Sequence, residues 1–224
     1  INNRKTINSV YAFANLSYKS MLYLSLTGRN DWSSALVYPD GSGDNSYFYP
    51  SASLSWVLNE SFAMPSWIYF AKLRTSYAMV GNDTDPFRLS TGFVPVGFSQ
   101  EPTLNMYKFE SATAISPNLK PEIKRSFEAG IDMRFLDGRV GFDFAYYKDN
   151  TRNQILALNV PGESGIGQQI INAGNLQNQG VELMIDGTPI KRTNFSWDIG
   201  FNITHNRDKI IELYPGVEEI YLYG

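Results

Sequence analysis

The sequence predicts an all-β chain, an antiparallel transmembrane β-barrel wall of about eight strands. Three observations carry this expectation. Phe195, Trp197, Ile199, Phe201 and Ile203 alternate without error with Ser196, Asp198, Gly200, Asn202 and Thr204. A period of two means a strand with one apolar and one polar face. The same sorting recurs in seven other segments, with strand lengths of roughly nine to twelve residues, enough for a tilted bilayer crossing. The connections then run short, long, short, long, short, long, short. Antiparallel strands put every second connection on the same side, so long loops share one side and tight turns the other, as in membrane barrels. A soluble sandwich has no reason to segregate loop lengths this way.

The first strand runs from Ile7 to Tyr18, with Val10, Ala12, Ala14, Leu16 and Tyr18 on one face. A tight Lys19–Ser20 turn leads to the second, where Leu22, Leu24 and Leu26 oppose Tyr23, Ser25 and Thr27. Residues 31–46 read as a polar loop rich in turn-formers. The third strand sets Phe48, Ala52, Leu54, Trp56 and Leu58 against Ser51, Ser53 and Ser55, and the fourth sets Trp67–Tyr77 in the same fashion against Lys72, Arg74 and Ser76. A long excursion, about 80–124, has no sustained period. The fifth strand carries Phe127, Ala129, Ile131, Met133 and Phe135, and its Asp137–Gly138 pair signals a hairpin into the sixth, Val140–Tyr147. Residues 150–178 read as a third long loop that opens with a strand extension at Gln154–Val160. The seventh strand, around Val181–Asp186, reaches the eighth through a short Gly187–Thr193 link.

Composition narrows the function classes. The net charge of −3 leaves no basic field for nucleic acid. No run of eighteen apolar residues suggests a membrane helix, and barrel strands hide their hydrophobicity by giving half their positions to the other face. Without cysteine there is no disulfide, thiol nucleophile or zinc-thiolate site. Tyr18, Tyr23, Trp56, Trp67, Tyr69, Phe195 and Trp197 gather near the tight-turn ends, as an interfacial girdle would. A core of a water-soluble barrel or solenoid is the competing reading of those aromatics.

Five segments carry a family resemblance. INAGNLQNQGVEL (Ile171–Leu183), LTGRNDWSSAL (Leu26–Leu36), YPSASLSWVLNESF (Tyr49–Phe62), LRTSYAMVGN (Leu73–Asn82) and NLKPEIKRSFEAGIDMRFLDGRVGFDFAYY (Asn118–Tyr147) resemble, in order and spacing, the SusC/RagA family of TonB-dependent outer-membrane transporters. The resemblance implies the outer membrane of a Gram-negative bacterium of the Bacteroidetes type. It implies a SusD-like surface lipoprotein as a lid and energy delivered through TonB. It also implies a plugged barrel of about 22 strands, of which residues 1–224 would be part of the C-terminal half. The plug domain, the TonB-contacting segment and the terminal strand are absent from these residues. A complete eight-stranded barrel is the alternative of the same class.

No catalytic, cofactor-binding or metal site is expected. His205 is the single histidine and lacks a nucleophile elbow near it. Asp40–Ser46 and Gly81–Asp85 offer oxygen ligands but not the spacing of a calcium loop. The ionisable residues of the polar faces, Lys72, Arg74, Glu128, Asp132, Arg134, Asp143, Glu182 and Asp198, are expected to face a lumen and pair across strands. Trp32, Tyr38, Phe93, Phe98 and Tyr107 are the candidate loop contacts for a substrate, because binding residues concentrate on loops. The expected function is import of oligosaccharides or peptides, not enzymatic. A non-transporting barrel for adhesion or assembly is the alternative, and a soluble glycan-binding β-domain is a third reading.

Overall fold

In the computed structural model, residues 4–84, 89, 93–95, 107–109, 113–116, 119–161 and 166–213 are described. Eight long strands form one antiparallel path: β1 (Ile7–Tyr18), β2 (Leu22–Ser33), β3 (Ser46–Val57), β4 (Ile68–Asn82), β8 (Glu122–Phe135), β9 (Val140–Asn159), β10 (Gln168–Arg192) and β11 (Phe195–Glu212). Three short strands lie between β4 and β8: β5 (Phe93–Pro95), β6 (Tyr107–Phe109) and β7 (Thr113–Ile115). β5 pairs with β6, whereas β7 runs parallel to β10 and makes the sheet nine-stranded. The sheet is not closed by these residues. Among them, no helix is long and apolar enough to cross a membrane, a test that does not bear on strands.

The register shows how completely the faces are sorted. Tyr18, Leu22, Trp56, Leu73, Ile131, Phe144, Leu183 and Ile203 stand opposite one another in turn, one from each long strand. The adjacent row on the other face reads Ser17, Tyr23, Ser55, Arg74, Gly130, Ala145, Glu182 and Thr204. A slip of one residue anywhere would exchange these rows. Sorting is weakest in β1, where Tyr11 and Phe13 sit on the otherwise polar face.

There is no second layer behind this sheet among the described residues. A water-soluble domain buries its apolar face against another layer. Here Leu54, Phe144, Trp197, Ile199, Phe201 and Ile203 are all exposed. A contiguous apolar face of this extent marks contact with a membrane or another protein. The largest fully buried apolar side chains, Leu36 and Leu119, lie in the long connections instead.

Four sequence expectations need correction. β2 continues to Ser33, so the loop expected at 31–46 begins with a 3₁₀ turn at Ser34–Leu36. The excursion expected at 80–124 loses both ends to β4 and β8. The long segment expected at 150–178 is mostly strand, because β9 runs to Asn159 and β10 starts at Gln168. Polar and apolar residues mix on both faces of that hairpin, so the backbone ladder continues where the hydrophobic period has stopped. Gly187–Thr193 is likewise part of β10 up to Arg192, with a bulge between Gly187 and Ile190. Pro189, which cannot donate to a ladder, sits in this bulge.

Candidate functional site

The polar face carries a lattice of ion pairs over β4, β8, β9 and β10. The side chains of Lys72, Arg74, Glu128, Asp132, Arg134, Asp143 and Asp186 share this face by strict alternation and pairing register. Asp132 stands directly opposite Asp143, and like charges in that position repel. Two cations relieve the conflict. Lys72 Nζ lies 3.2 Å from Asp132. The Arg74 guanidinium donates to both Asp143 oxygens, at 2.6 and 2.8 Å, and its Nε reaches Glu128 at 3.4 Å. Planar bidentate pairing of this kind fixes geometry as well as charge.

Glycine makes the long arginine reaches possible. Arg134 on β8 faces Gly141 on β9, which in turn faces Asp186 on β10. With no Cβ in the way, Arg134 Nη1 crosses the middle strand and donates to Asp186 at 2.8 and 3.0 Å. A Cβ at Gly141 would overlap both partners. Arg74 lies over Gly130 in the same manner, with guanidinium atoms 2.9 Å from where its Cβ would be. A third crossing joins Tyr147 on β9, over Gly180, to Asn206 Oδ1 on β11 at 3.2 Å.

Not every expected residue joins the lattice. Glu182 shares its face and lines a shallow polar depression with Arg74, Glu128, Tyr147 and Asp149. No cation pairs with it among the described residues. Asp198 lies apart and accepts from the Thr188 hydroxyl at 2.6 Å, beside the β10 bulge. Asp186 was not among the expected site residues. Its period-two position marks it as polar-facing, but only the pairing of three strands reveals Arg134 as its partner. Among the described residues, no group of three or more ligating side chains could hold a metal ion. Asp40 and Asp83, one from each oxygen-rich segment, are engaged by protein groups. Ser42 donates to Asp40 through its hydroxyl and backbone N–H, holding that carboxyl below its usual range. Asp83 takes Lys5 and the Ser33 hydroxyl.

The long-loop end of the sheet is tied together by polar side chains. The Tyr38 hydroxyl donates to Ser116 O at 2.7 Å and accepts from Leu119 N at 2.9 Å. Asn172 acts like an extra length of strand. Its Oδ1 accepts from Lys120 N at 2.6 Å, while its Nδ2 donates to Lys120 O and Asn153 O at 2.7 and 2.8 Å. Glu122 receives the N–H of Ile155 at 2.8 Å. These contacts and the β7–β10 pairing hold the return leg of the excursion on the β9–β10 hairpin. Replacing Asn172 by Ala should release the exposed backbone groups of Lys120 to water, a local cost of about 0.5–1.5 kcal/mol per hydrogen bond. Amide exchange over 113–120 is expected to accelerate while the β8 amides stay protected; unchanged exchange there would remove Asn172 from this role.

Of the candidate loop contacts, Tyr38 is thus committed to holding the excursion. Trp32 lies in β2 rather than a loop, on the face shared with Leu22 and Leu24, because the strand outlasts its hydrophobic period. Tyr107 lies in β6 and is 62% exposed. Phe93 begins β5. Phe98 falls outside the described residues.

Residues 1–217 match the family described as TonB dependent receptor-like, beta-barrel. The chain belongs to that family. TonB-dependent receptor barrels are outer-membrane proteins, and they are receptors and transporters rather than enzymes. The chain is 32% identical over 223 residues to TonB-dependent receptor P26 of Formosa agariphila, covering 96% of this chain and 22% of that protein. It is 30% identical over 226 residues to TonB-dependent receptor SusC of Bacteroides thetaiotaomicron, covering 97% of this chain and 22% of SusC. The chain therefore spans about a fifth of the length of these curated relatives. Its fold matches a structure of the RagAB peptide importer in an 'open-open' state with a TM-score of 0.85 at 20% identity, over 97% of this chain and 23% of that one.

Proposed function

We propose that this stretch of receptor barrel forms part of the wall and outer rim of a nutrient importer. The importer takes up oligosaccharides or peptides, works with a SusD-like surface lipoprotein, and is energised through TonB. The observation that carries the reading is the tied rim described above, formed where β9, β10 and the returning excursion meet. An adhesin or passive pore has no need for a platform anchored at several points. Similarity to SusC and to a protein titled a peptide importer supports the same class. In this reading the ion-pair lattice faces the lumen, and Tyr107 supplies a stacking contact for substrate.

The deciding experiment removes TonB from cells expressing the full-length protein and follows uptake of labelled oligosaccharides and peptides. Uptake should collapse to background, and shortening the 83–121 connection should impair capture of the lipoprotein while the barrel still inserts. Import that persists without TonB would overturn the energised reading. Sidedness is tested separately with single cysteines, since the chain has none of its own. Cysteines replacing Asp44 and Lys120, both exposed on long connections, should react with an impermeant label on intact cells. Those replacing Ser66 and Asn194, on short ones, should react only after the outer membrane is opened. Labelling of both sets on intact cells would reverse or abolish the assignment.

A further inference from the structure

The apolar face is interrupted near its tight-turn end by a depression of about 460 Å³. Its wall is built from Leu136, Val140, Ile185, Ile199 and Phe201, around Gly187. Val140, Gly187 and Ile199 form one row of the register, and Ile185 and Phe201 face each other in the next. The hollow exists for two sequence reasons. Gly187 contributes no side chain, and the Thr188–Pro189 bulge interrupts the β10–β11 pairing between Gly187 and Ile190. Bulges bend a strand locally and are common at barrel rims. The position is held by Thr188 N–H donating to Arg139 O at 2.8 Å and by the tight turn at Leu136–Gly138, whose three residues all have positive φ.

We infer that this depression holds one acyl chain of an anionic glycerophospholipid, with the phosphate on Arg139 and Arg192. Arg139 is exposed and lines the hollow. Arg192 pairs with Phe195, which places it on the same apolar face, at the last residue of β10. A cation on an apolar face at a barrel's edge reaches out of the hydrocarbon toward a headgroup, and arginine matches phosphate by paired donors. Asp186, the acid beside the hollow, turns to the other face and is taken by Arg134. Trp67 and Tyr69 on one side, with Phe195 and Trp197 on the other, are all exposed at this level. Such a belt sits where headgroups meet acyl chains. The inference goes beyond the import role and rests on the assignment of short turns to the periplasmic side, where the leaflet is phospholipid.

Gly187 supplies a clean test. Its φ is ordinary, and an added Cβ would meet only Arg139 O, at 3.7 Å. Gly187→Val therefore fills the hollow without forcing the ladder. The full-length protein is purified in detergent, titrated with phosphatidylglycerol or with diacylglycerol of the same chains, and lipid retention is counted by native mass spectrometry. The native protein should retain one phosphatidylglycerol about tenfold more tightly than diacylglycerol, the size of one charge-assisted contact. Arg139→Gln with Arg192→Gln should erase that preference, and Gly187→Val should lower retention of both lipids. A heat-modifiable gel shift verifies that each variant is folded, and the arginine pair decides the matter should Gly187→Val not fold. Equal retention of the two lipids by the native protein, or native-like preference in the arginine variant, would overturn the site. Loss of the site in a protein still labelled as predicted at Asp44 and Ser66 leaves the sidedness reading intact, so the two failures are distinguishable.

Discussion

Arginine in place of Ile131 is expected to destabilise the inserted barrel by roughly 2–4 kcal/mol, the cost of a cation at the lipid face near the bilayer midplane. Ile131 occupies the middle of the apolar row, flanked across the strands by Leu73 and Phe144. Its guanidinium would have no acid within the apolar face and too little length to reach water from that depth. Ser53 is the matched control, exposed on the polar face between Ser25 and Ser76. Arginine there should change stability by less than about 0.5 kcal/mol, as surface substitutions do. Asp132 would be a poor control, since arginine beside Lys72 and Arg134 would gather three cations where an acid now joins two. Unfolding in lipid vesicles by denaturant measures both variants. Equal tolerance at 131 and 53 would mean that the apolar face does not meet lipid.

Valine at Gly180 should cost about 1–3 kcal/mol, the usual range for overpacking. A Cβ at this position overlaps the His205 carbonyl oxygen on β11 and the Tyr147 hydroxyl. The hydroxyl can swing aside, but the carbonyl belongs to a paired strand, so β10 and β11 must part. Gly200 is the control. It lies on the same face of the neighbouring strand, and nothing stands within 4 Å of its would-be Cβ. Valine at Gly200 should be neutral or slightly stabilising, since it favours a strand over glycine. The same unfolding assay compares them, and identical midpoints would show that the Tyr147 crossing does not constrain β10.

What could be read from the chain depended on which face met which solvent. The sequence marks β1 with its observed ends, β8 from Phe127 and β11 as far as Thr204, because in those stretches one face is apolar. The outer half of β10 has no signal in the sequence, and that of β9 shows only as the strand extension at Gln154–Val160. Thr151–Asn159 and Gln168–Asn178 carry polar residues on both faces, and the backbone hydrogen bonds that extend them leave no hydrophobic period. The residues that shape this hairpin are conformational: Asn153 and Gly174 adopt positive φ. Within the lattice, alternation alone marked Arg74 and Asp143 as polar-facing. Their pairing joins positions 69 apart and follows from turn lengths and register, which no local pattern contains. Asn172 was equally hidden, since a side chain that imitates a strand partner has no periodic signature.

The arginine crossings also bear on how such a wall is assembled. A slip of two residues between β8 and β9 keeps every side chain on its proper face, so the lipid environment alone does not reject it. That slip would, however, bring Asp143 opposite Arg134 in place of Gly141, or carry Arg134 past the start of β9. The arginine would then be blocked from Asp186, and a carboxylate on β10 would be stranded without its cation. The three-strand contact can form only when two consecutive pairings are both correct. Each glycine slot is therefore a proofreading device, testing alignment at the moment the third strand arrives.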